Sequence, residues 1–188
     1  MSRSRARRRT QRRSARAPGY VPRVHVGVVG ESVSSARAVR DAERVGRAIA
    51  AAGAVLFTGG RGGVMEAASR GASEAGGAVV GLLPGFDRAE ANRWVHIPVV
   101  TGMDQARNVI LVRSCDAVIA VGGMYGTLSE IALALKLGIP VIGLRTWRLG
   151  QPDGRRVPIV AARSPEDAVT RALAAARGRG ARARTWLS

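Results

Sequence analysis

Cysteine is almost missing from this chain, and the scarcity removes two kinds of chemistry. The one thiol, Cys115, cannot form an internal disulfide and offers no thiolate cluster for a metal. It reads as a small buried hydrophobe. Aromatic residues number only seven, and Trp94, Trp147 and Trp186 stand far apart, so no base-stacking platform is evident. No stretch approaches the roughly 20 apolar residues of a membrane helix, and the N-terminus carries no apolar signal-type segment, which predicts a cytoplasmic protein. The two histidines, His25 and His96, both fall in expected strands. No Ser-His-Asp or Cys-His order is apparent, and no metal-ligand cluster is expected.

Lysine is equally scarce: Lys136 is the only one among 30 basic residues. The formal charge of +17 looks like a nucleic-acid signature until it is placed along the chain. Residues 1–22 hold eight arginines and no acid, and residues 177–188 hold four more, so the body retains only +5. The expectation is therefore a disordered Arg-rich tail over 1–22, one domain over 23–176 and an Arg-rich C-terminal tail over 177–188. Nucleic acid would then be contacted only non-specifically, through the tails.

What the chain does have is 46% hydrophobic residues and 24 glycines in 188 residues, enough for one domain with a sizeable core. Short β-branched runs alternate with helical patterns, at 23–29, 54–58, 78–83, 94–100, 117–121, 140–144 and 158–161. Most are apolar on both faces, as strands covered by helices on each side must be. The fold class expected is α/β: a Rossmann-like, doubly wound, mostly parallel sheet of about seven strands with helices on both faces.

The first helix is expected over 35–52 and the last over 165–177, with Ser164 as its N-cap and Pro165 in its first turn. Residues 145–157 read as a loop or short hairpin around a Pro-Asp-Gly turn. The helices near 103–115 and 127–137 carry apolar residues all round, among them Val109, Ile110, Leu111 and Val112. A single small domain cannot bury such helices on every side, so they predict a homo-oligomer, a dimer or tetramer, packed through these two helices.

Ligands of an open parallel sheet bind outside the carboxyl ends of its strands. The unusual residues collect there: Gly30, Glu31 and Ser32 after the first strand; Gly59, Gly60, Arg61, Gly62 and Gly63 after the second; Pro84 and Gly85 after the third; Gly122, Gly123, Met124, Tyr125, Gly126 and Thr127 after the fifth. Two of these segments are glycine-rich turns opening a helix, where unpaired N–H groups and the positive end of the macrodipole meet an anion. Neither matches G-x-G-x-x-G or holds a P-loop lysine, so the reading is a phosphate-bearing ligand rather than a dinucleotide or triphosphate. No cofactor is required by the sequence.

Glu130 has two readings. Thr127-Leu-Ser-Glu130 has the spacing of a capping box, which needs no ligand. Alternatively the carboxylate serves the ligand beside its phosphate. Arg107, in the first turns of its helix, is either the partner of Asp104 three residues earlier or an anion-binding group.

The blocks "GGRGGVMEAASRGA" (59–72) and "ARNVILVRSCDAVIAVGGMYGTLSEIALALKLGIPVI" (106–142), with their spacing, resemble the Rossmann-like superfamily of the Lonely Guy phosphoribohydrolases, the lysine-decarboxylase-like proteins. Within it they look closest to the molybdenum cofactor carrier proteins and their uncharacterised bacterial relatives. Those hydrolases use an Arg-Lys pair and P-G-G-x-G-T-x-x-E to cleave the N-glycosidic bond of a nucleoside 5′-monophosphate. The resemblance puts Arg107 at the arginine and Gly123, Gly126, Thr127 and Glu130 in the second motif, with Arg107 and Glu130 as the catalytic pair if the chain is an enzyme. Asn108 replaces the lysine, Gly122 the proline and Met124 the second glycine, while Glu66 stands where those enzymes usually have glycine. Ala106-Arg107-Asn108 resembles the carrier branch. The resemblance thus implies binding of a nucleoside monophosphate or the molybdenum cofactor, with phosphoribohydrolase activity as the alternative and nucleic-acid association as a weaker one.

Overall fold

Seven β-branched runs form seven strands, and the central ones bury both faces by pairing edge to edge beneath helices, while the edge strands leave Ile97, Val99 and Val160 exposed. In the computed structural model, which describes residues 23–185, the elements are β1 (His25–Gly30), α1 (Ala36–Ala51), β2 (Val55–Thr58), α2 (Val64–Glu74), β3 (Val79–Leu83), β4 (Ile97–Val100), α3 (Arg107–Arg113), β5 (Ala117–Val121), α4 (Tyr125–Lys136), β6 (Val141–Leu144), β7 (Ile159–Ala161) and α5 (Pro165–Thr185). The expected tail over 1–22 lies outside the described residues.

All seven strands are parallel, in the order β4-β3-β2-β1-β5-β6-β7. The chain winds outward from β1 to one edge, then returns to β5 and winds to the other. Between β1 and β5 the helices that follow the strands diverge, which leaves a crevice above their carboxyl ends. Helices α1, α2 and α5 cover one face, with Val45, Ile49, Ala68, Ala72 and Ala168 in its core. Helices α3 and α4 cover the other, burying Leu111, Val112, Ile131 and Ala134.

Helices α1 and α2 approach so closely that a Cβ on Gly46 would meet the Ala68 carbonyl, and one on Gly71 the Glu43 carbonyl. Small residues on facing helix positions therefore set the thickness of this layer.

Two expectations are corrected. Helix α5 does not stop at residue 177 but continues to Thr185. The arginines and alanines of 177–185 are good helix formers and offset Gly178 and Gly180. His96 lies just before β4, which begins at Ile97, where its Nδ1 accepts the Val79 N–H at 3.2 Å. Helices α3 and α4 are not enclosed: Leu111 and Val112 are buried, whereas Val109 and Ile110 remain 37% exposed. Residues 145–157 carry one antiparallel bridge, Gly150 to Arg156, as a short hairpin should. Among the described residues no helix is long and apolar enough to cross a membrane.

Candidate functional site

At the crevice a cavity of about 240 Å³ opens between the strand ends and the helices that follow them. Its floor is Val28, Val29 and Gly30 of β1. Its walls are Glu31 and Ser32, Gly59 and Arg61, Met65 of α2, Pro84, the segment holding Gln105, Arg107 and Asn108, and Met124, Gly126, Thr127 and Glu130 around the start of α4.

Arg107 is the first residue of α3 and Glu130 lies in the second turn of α4, yet their side chains meet: Nη1 donates to Oε1 at 3.5 Å. A Cβ on Gly59 would sit 2.7 Å from Arg107 Nη2, so glycine there gives the guanidinium its place against β2. Burial pushes the Glu130 carboxyl up to about 7, outweighing the opposing pull of Arg107. Desolvation likewise lowers the basicity of Arg107, with Glu130 acting in the other direction. Taking two charges out of water costs more than one long hydrogen bond returns.

The capping-box reading of Glu130 is therefore corrected. Helix α4 begins at Tyr125 with Met124 at the N-cap and no side-chain cap, so Thr127 is already its third residue and cannot cap Glu130's turn. Asp104 is likewise not the ion-pair partner of Arg107; its effect on the guanidinium is smaller than that of Glu130.

The two glycine-rich turns differ in what they can hold. Helix α2 has Glu66 in its first turn, and the Val64 N–H already donates to the Glu31 carbonyl at 3.1 Å. Helix α4 has no acid in its first turn and Lys136 in its last, so no residue of its own first turn offsets the positive end of its macrodipole, and the nearest carboxylate to the turn is that of Glu31 beside Gly122. The chain reaches it through Gly122 at φ 58° and Gly123 at φ 120°, angles that disfavour any residue with a Cβ. Of the two turns, only that at 122–127 opens a helix with no acid in its first turn.

Five buried side-chain polar atoms lack a hydrogen-bond partner among the described residues: Thr58 Oγ1, Arg107 Nε, Asn108 Oδ1, Thr127 Oγ1 and Trp147 Nε1. Three of these residues line the one cavity, and Thr58 adjoins Gly59 in its wall. Each such orphan costs about 1–3 kcal/mol, so their concentration marks a place where polar partners are missing.

Of the residues singled out in the sequence, Gly30, Glu31, Ser32, Gly59, Arg61, Pro84, Arg107, Asn108, Met124, Gly126, Thr127 and Glu130 line this cavity. Gly122 and Gly123 line an adjoining cleft that shares Glu31. Gly60, Gly62, Gly63, Gly85 and Tyr125 line neither; Gly63 serves instead as the N-cap of α2, and Asn92 Nδ2 ties down the carbonyls of Gly60 and Arg61. Sequence reasoning missed Met65 and Gln105, which carry no motif signal, and the floor residues Val28 and Val29, indistinguishable from ordinary core valines. Among the described residues no group of three His, Cys, Asp or Glu side chains could hold a metal ion.

The model of the SLOG cluster4 family matches residues 23–171, a span that contains every element of the sheet and the whole cavity wall. The chain belongs to that family. This SLOG cluster4 chain is 48% identical over 122 residues to a protein of Archaeoglobus fulgidus described as uncharacterized, covering 65% of this chain and 80% of the relative. Its fold is similar to that of the molybdenum cofactor binding protein from the phototrophic bacterium Rippkaea orientalis, with a TM-score of 0.74 and 36% identity over 82% of this chain and 98% of that one. The Moco carrier protein from Chlamydomonas reinhardtii matches at a TM-score of 0.72 and 35% identity, over the same shares.

Proposed function

We propose that this protein binds a phosphate-bearing nucleotide or pterin-type cofactor at the β1/β5 crevice, in the manner of a cofactor carrier. The observation that carries this reading is the gathering of Arg107, Asn108 and Thr127, each with an unpartnered buried polar atom, around one cavity beside an uncapped helix N-terminus. The phosphate sits on the turn at 122–127. Arg107 supplies charge, and Asn108 and Thr127 hydrogen-bond the polar edge of a heterocycle.

Similarity to proteins that bind the molybdenum cofactor supports the pterin class. The donor set fits such a group by its phosphate and heterocycle, because the cavity residues offer oxygen and nitrogen groups and no thiolate. When bound, the cofactor's metal centre supplies redox chemistry, while the protein's residues hold and shield it. The cavity falls below the usual range of about 300–1,000 Å³ for small-ligand sites, so part of the ligand extends past the rim, where Met124 and Tyr125 are exposed.

Native mass spectrometry of freshly purified protein tests this reading, since it reports ligand mass and subunit number together. Thermal stabilisation by GMP or by molybdenum cofactor is the expected result. A flat response to both, with no copurified ligand, overturns it.

A second reading is an N-glycosidic hydrolase acting on nucleoside monophosphates. The observation favouring it is the Glu130 carboxyl, poised near pH 7 to exchange a proton beside Arg107. Asn108 in place of the hydrolases' lysine weighs against it. Release of free base and ribose 5-phosphate from a panel of nucleoside monophosphates decides between the two.

The protein also assembles as a homo-oligomer through α3 and α4 in this reading. Val109 and Ile110 are exposed, and a groove of about 540 Å³ lined by Ala106, Ala132 and Leu133 runs between these helices.

A further inference from the structure

The charge that the tails do not account for is unevenly spread over the body. Five guanidiniums from three separate elements converge on one groove of about 480 Å³, on the sheet face opposite α3 and α4: Arg37, Arg40 and Arg44 of α1, Arg145 after β6, and Arg163 before α5. Arg44 is held by Glu166 at 2.9 and 3.0 Å, and Arg145 by the buried Asp41. Among the described residues Arg37, Arg40 and Arg163 have no carboxylate within ion-pair distance; Arg163 is partly offset by Asp167, which accepts its backbone N–H at 2.9 Å, so Arg37 and Arg40 carry most of the groove's uncompensated charge.

Three further features define what it fits. Arg37, Arg40 and Arg44 stand at i, i+3 and i+7 on α1, a row about 10 Å long on one helix face. The groove is open to solvent along its length, so a single small anion gains little there: an exposed charge pair is worth about 1 kcal/mol or less, and only several linked charges bind appreciably. No aromatic side chain lines it, which leaves nothing for a nucleobase to stack on.

We infer that this groove docks an acidic segment of a partner protein, one presenting carboxylates to Arg37 and Arg40 at helical spacing, with Arg163 on the opposite wall and Arg44, already paired with Glu166, closing the end of the row. A carboxylate row on a helix repeats at the interval of the arginines it faces, whereas the charges of an oligophosphate are bunched within a few ångströms. Arg37, Asp41 and Arg145 also line the cleft that contains Glu31, Gly122 and Gly123. A partner seated in the groove therefore lies next to the turn that borders the ligand cavity. The inference stands on the groove's own charge and spacing and does not need the cavity to hold any particular ligand.

The test uses the full chain and a fluorescein-labelled helix-forming peptide with glutamates at i, i+3 and i+7, read by fluorescence anisotropy. Arg37→Gln/Arg40→Gln/Arg163→Gln is compared with the charge-matched control Arg3→Gln/Arg5→Gln/Arg7→Gln in the N-terminal segment. The groove variant is expected to weaken binding about tenfold and the control about twofold or less, with wild-type affinity falling as salt rises. Equal weakening by both variants overturns the inference, as does tighter binding of tripolyphosphate or single-stranded DNA than of the peptide at the same groove arginines. The three substituted side chains are exposed, and an unchanged melting temperature verifies that folding is intact; should the triple variant unfold, Arg163→Gln alone must still weaken binding more than Arg5→Gln.

Discussion

The Arg107 guanidinium and the Glu130 carboxylate lie 3.5 Å apart with about nine-tenths of each side chain shielded from water. Removing either one strands the other charge in the cavity wall. The pair couples α3 to α4, and its protonation state sets the charge that a ligand meets.

The pair makes stability depend on pH in a stated direction. Glu130 is raised from 4.5 to about 7, so across that window the native chain keeps a proton that the unfolded chain has released. Stability is therefore lost as pH rises through the window, by about 3 kcal/mol in full, and levels off above it. Glu130→Gln is expected to flatten this slope, measured as the urea midpoint at pH 5 and pH 8. A wild-type slope persisting in the variant assigns the effect to another group.

Arg107→Gln should abolish the thermal stabilisation by GMP, because a charge-assisted hydrogen bond of about 1.5–3 kcal/mol corresponds to about tenfold or more in affinity. The same variant leaves Glu130 buried without a cation, so its own melting temperature should fall most at alkaline pH. Undiminished GMP stabilisation removes Arg107 from the ligand contacts.

Glycines of the α4 turn separate folding from binding. A Cβ on Gly123, at φ 120°, would lie 2.6 Å from Thr127 Cβ, so Gly123→Ala should destabilise by about 1–3 kcal/mol. Gly126 is helical with open space around its Cβ position, and Gly126→Ala should stabilise the free protein by about 0.5–1 kcal/mol. Because Gly126 lines the cavity, that more stable variant is nonetheless expected to bind the phosphate ligand less well. Calorimetric melting with and without ligand reads both effects.

Gly46→Ala should be among the more damaging single-methyl changes in the chain. Its Cβ would meet the Ala68 carbonyl, and backbone cannot swing aside as a side-chain tip can. Forcing α1 from α2 is expected to cost about 1–3 kcal/mol in chemical denaturation.

The proposed assembly through α3 and α4 predicts an oligomer for the wild type and a monomer for Ile110→Glu in light scattering, with the melting temperature of dilute protein nearly unchanged, since Ile110 is 37% exposed in the single chain. An oligomer of unchanged mass moves the interface elsewhere.

The fold was legible because its signals are local and repeated. Seven β-branched runs, most of them separated by segments of helical length, leave a parallel sheet as the arrangement that buries both faces of its central strands. The glycine-rich turn that opens α4 was legible for the same reason, since glycine density before a helix is a property of adjacent residues. Helix α5 runs beyond the expected end at 177 because the alanines and arginines around Gly178 and Gly180 favour the helix.

What the chain could not state was who meets whom across the sheet. Thr127-Leu-Ser-Glu130 spells a cap, yet the helix starts two residues earlier, so Glu130 turns inward to Arg107 from a different helix. Nothing in the sequence joins Arg37, Arg40 and Arg44 to Arg145 and Arg163, which arrive beside them only in the folded chain. Periodicity records which way a side chain faces on its own element. Burial, charge pairing and the pKa of Glu130 depend on distances between elements, and those exist only once the sheet has brought α1, α3, α4 and the loops after β6 and β7 together.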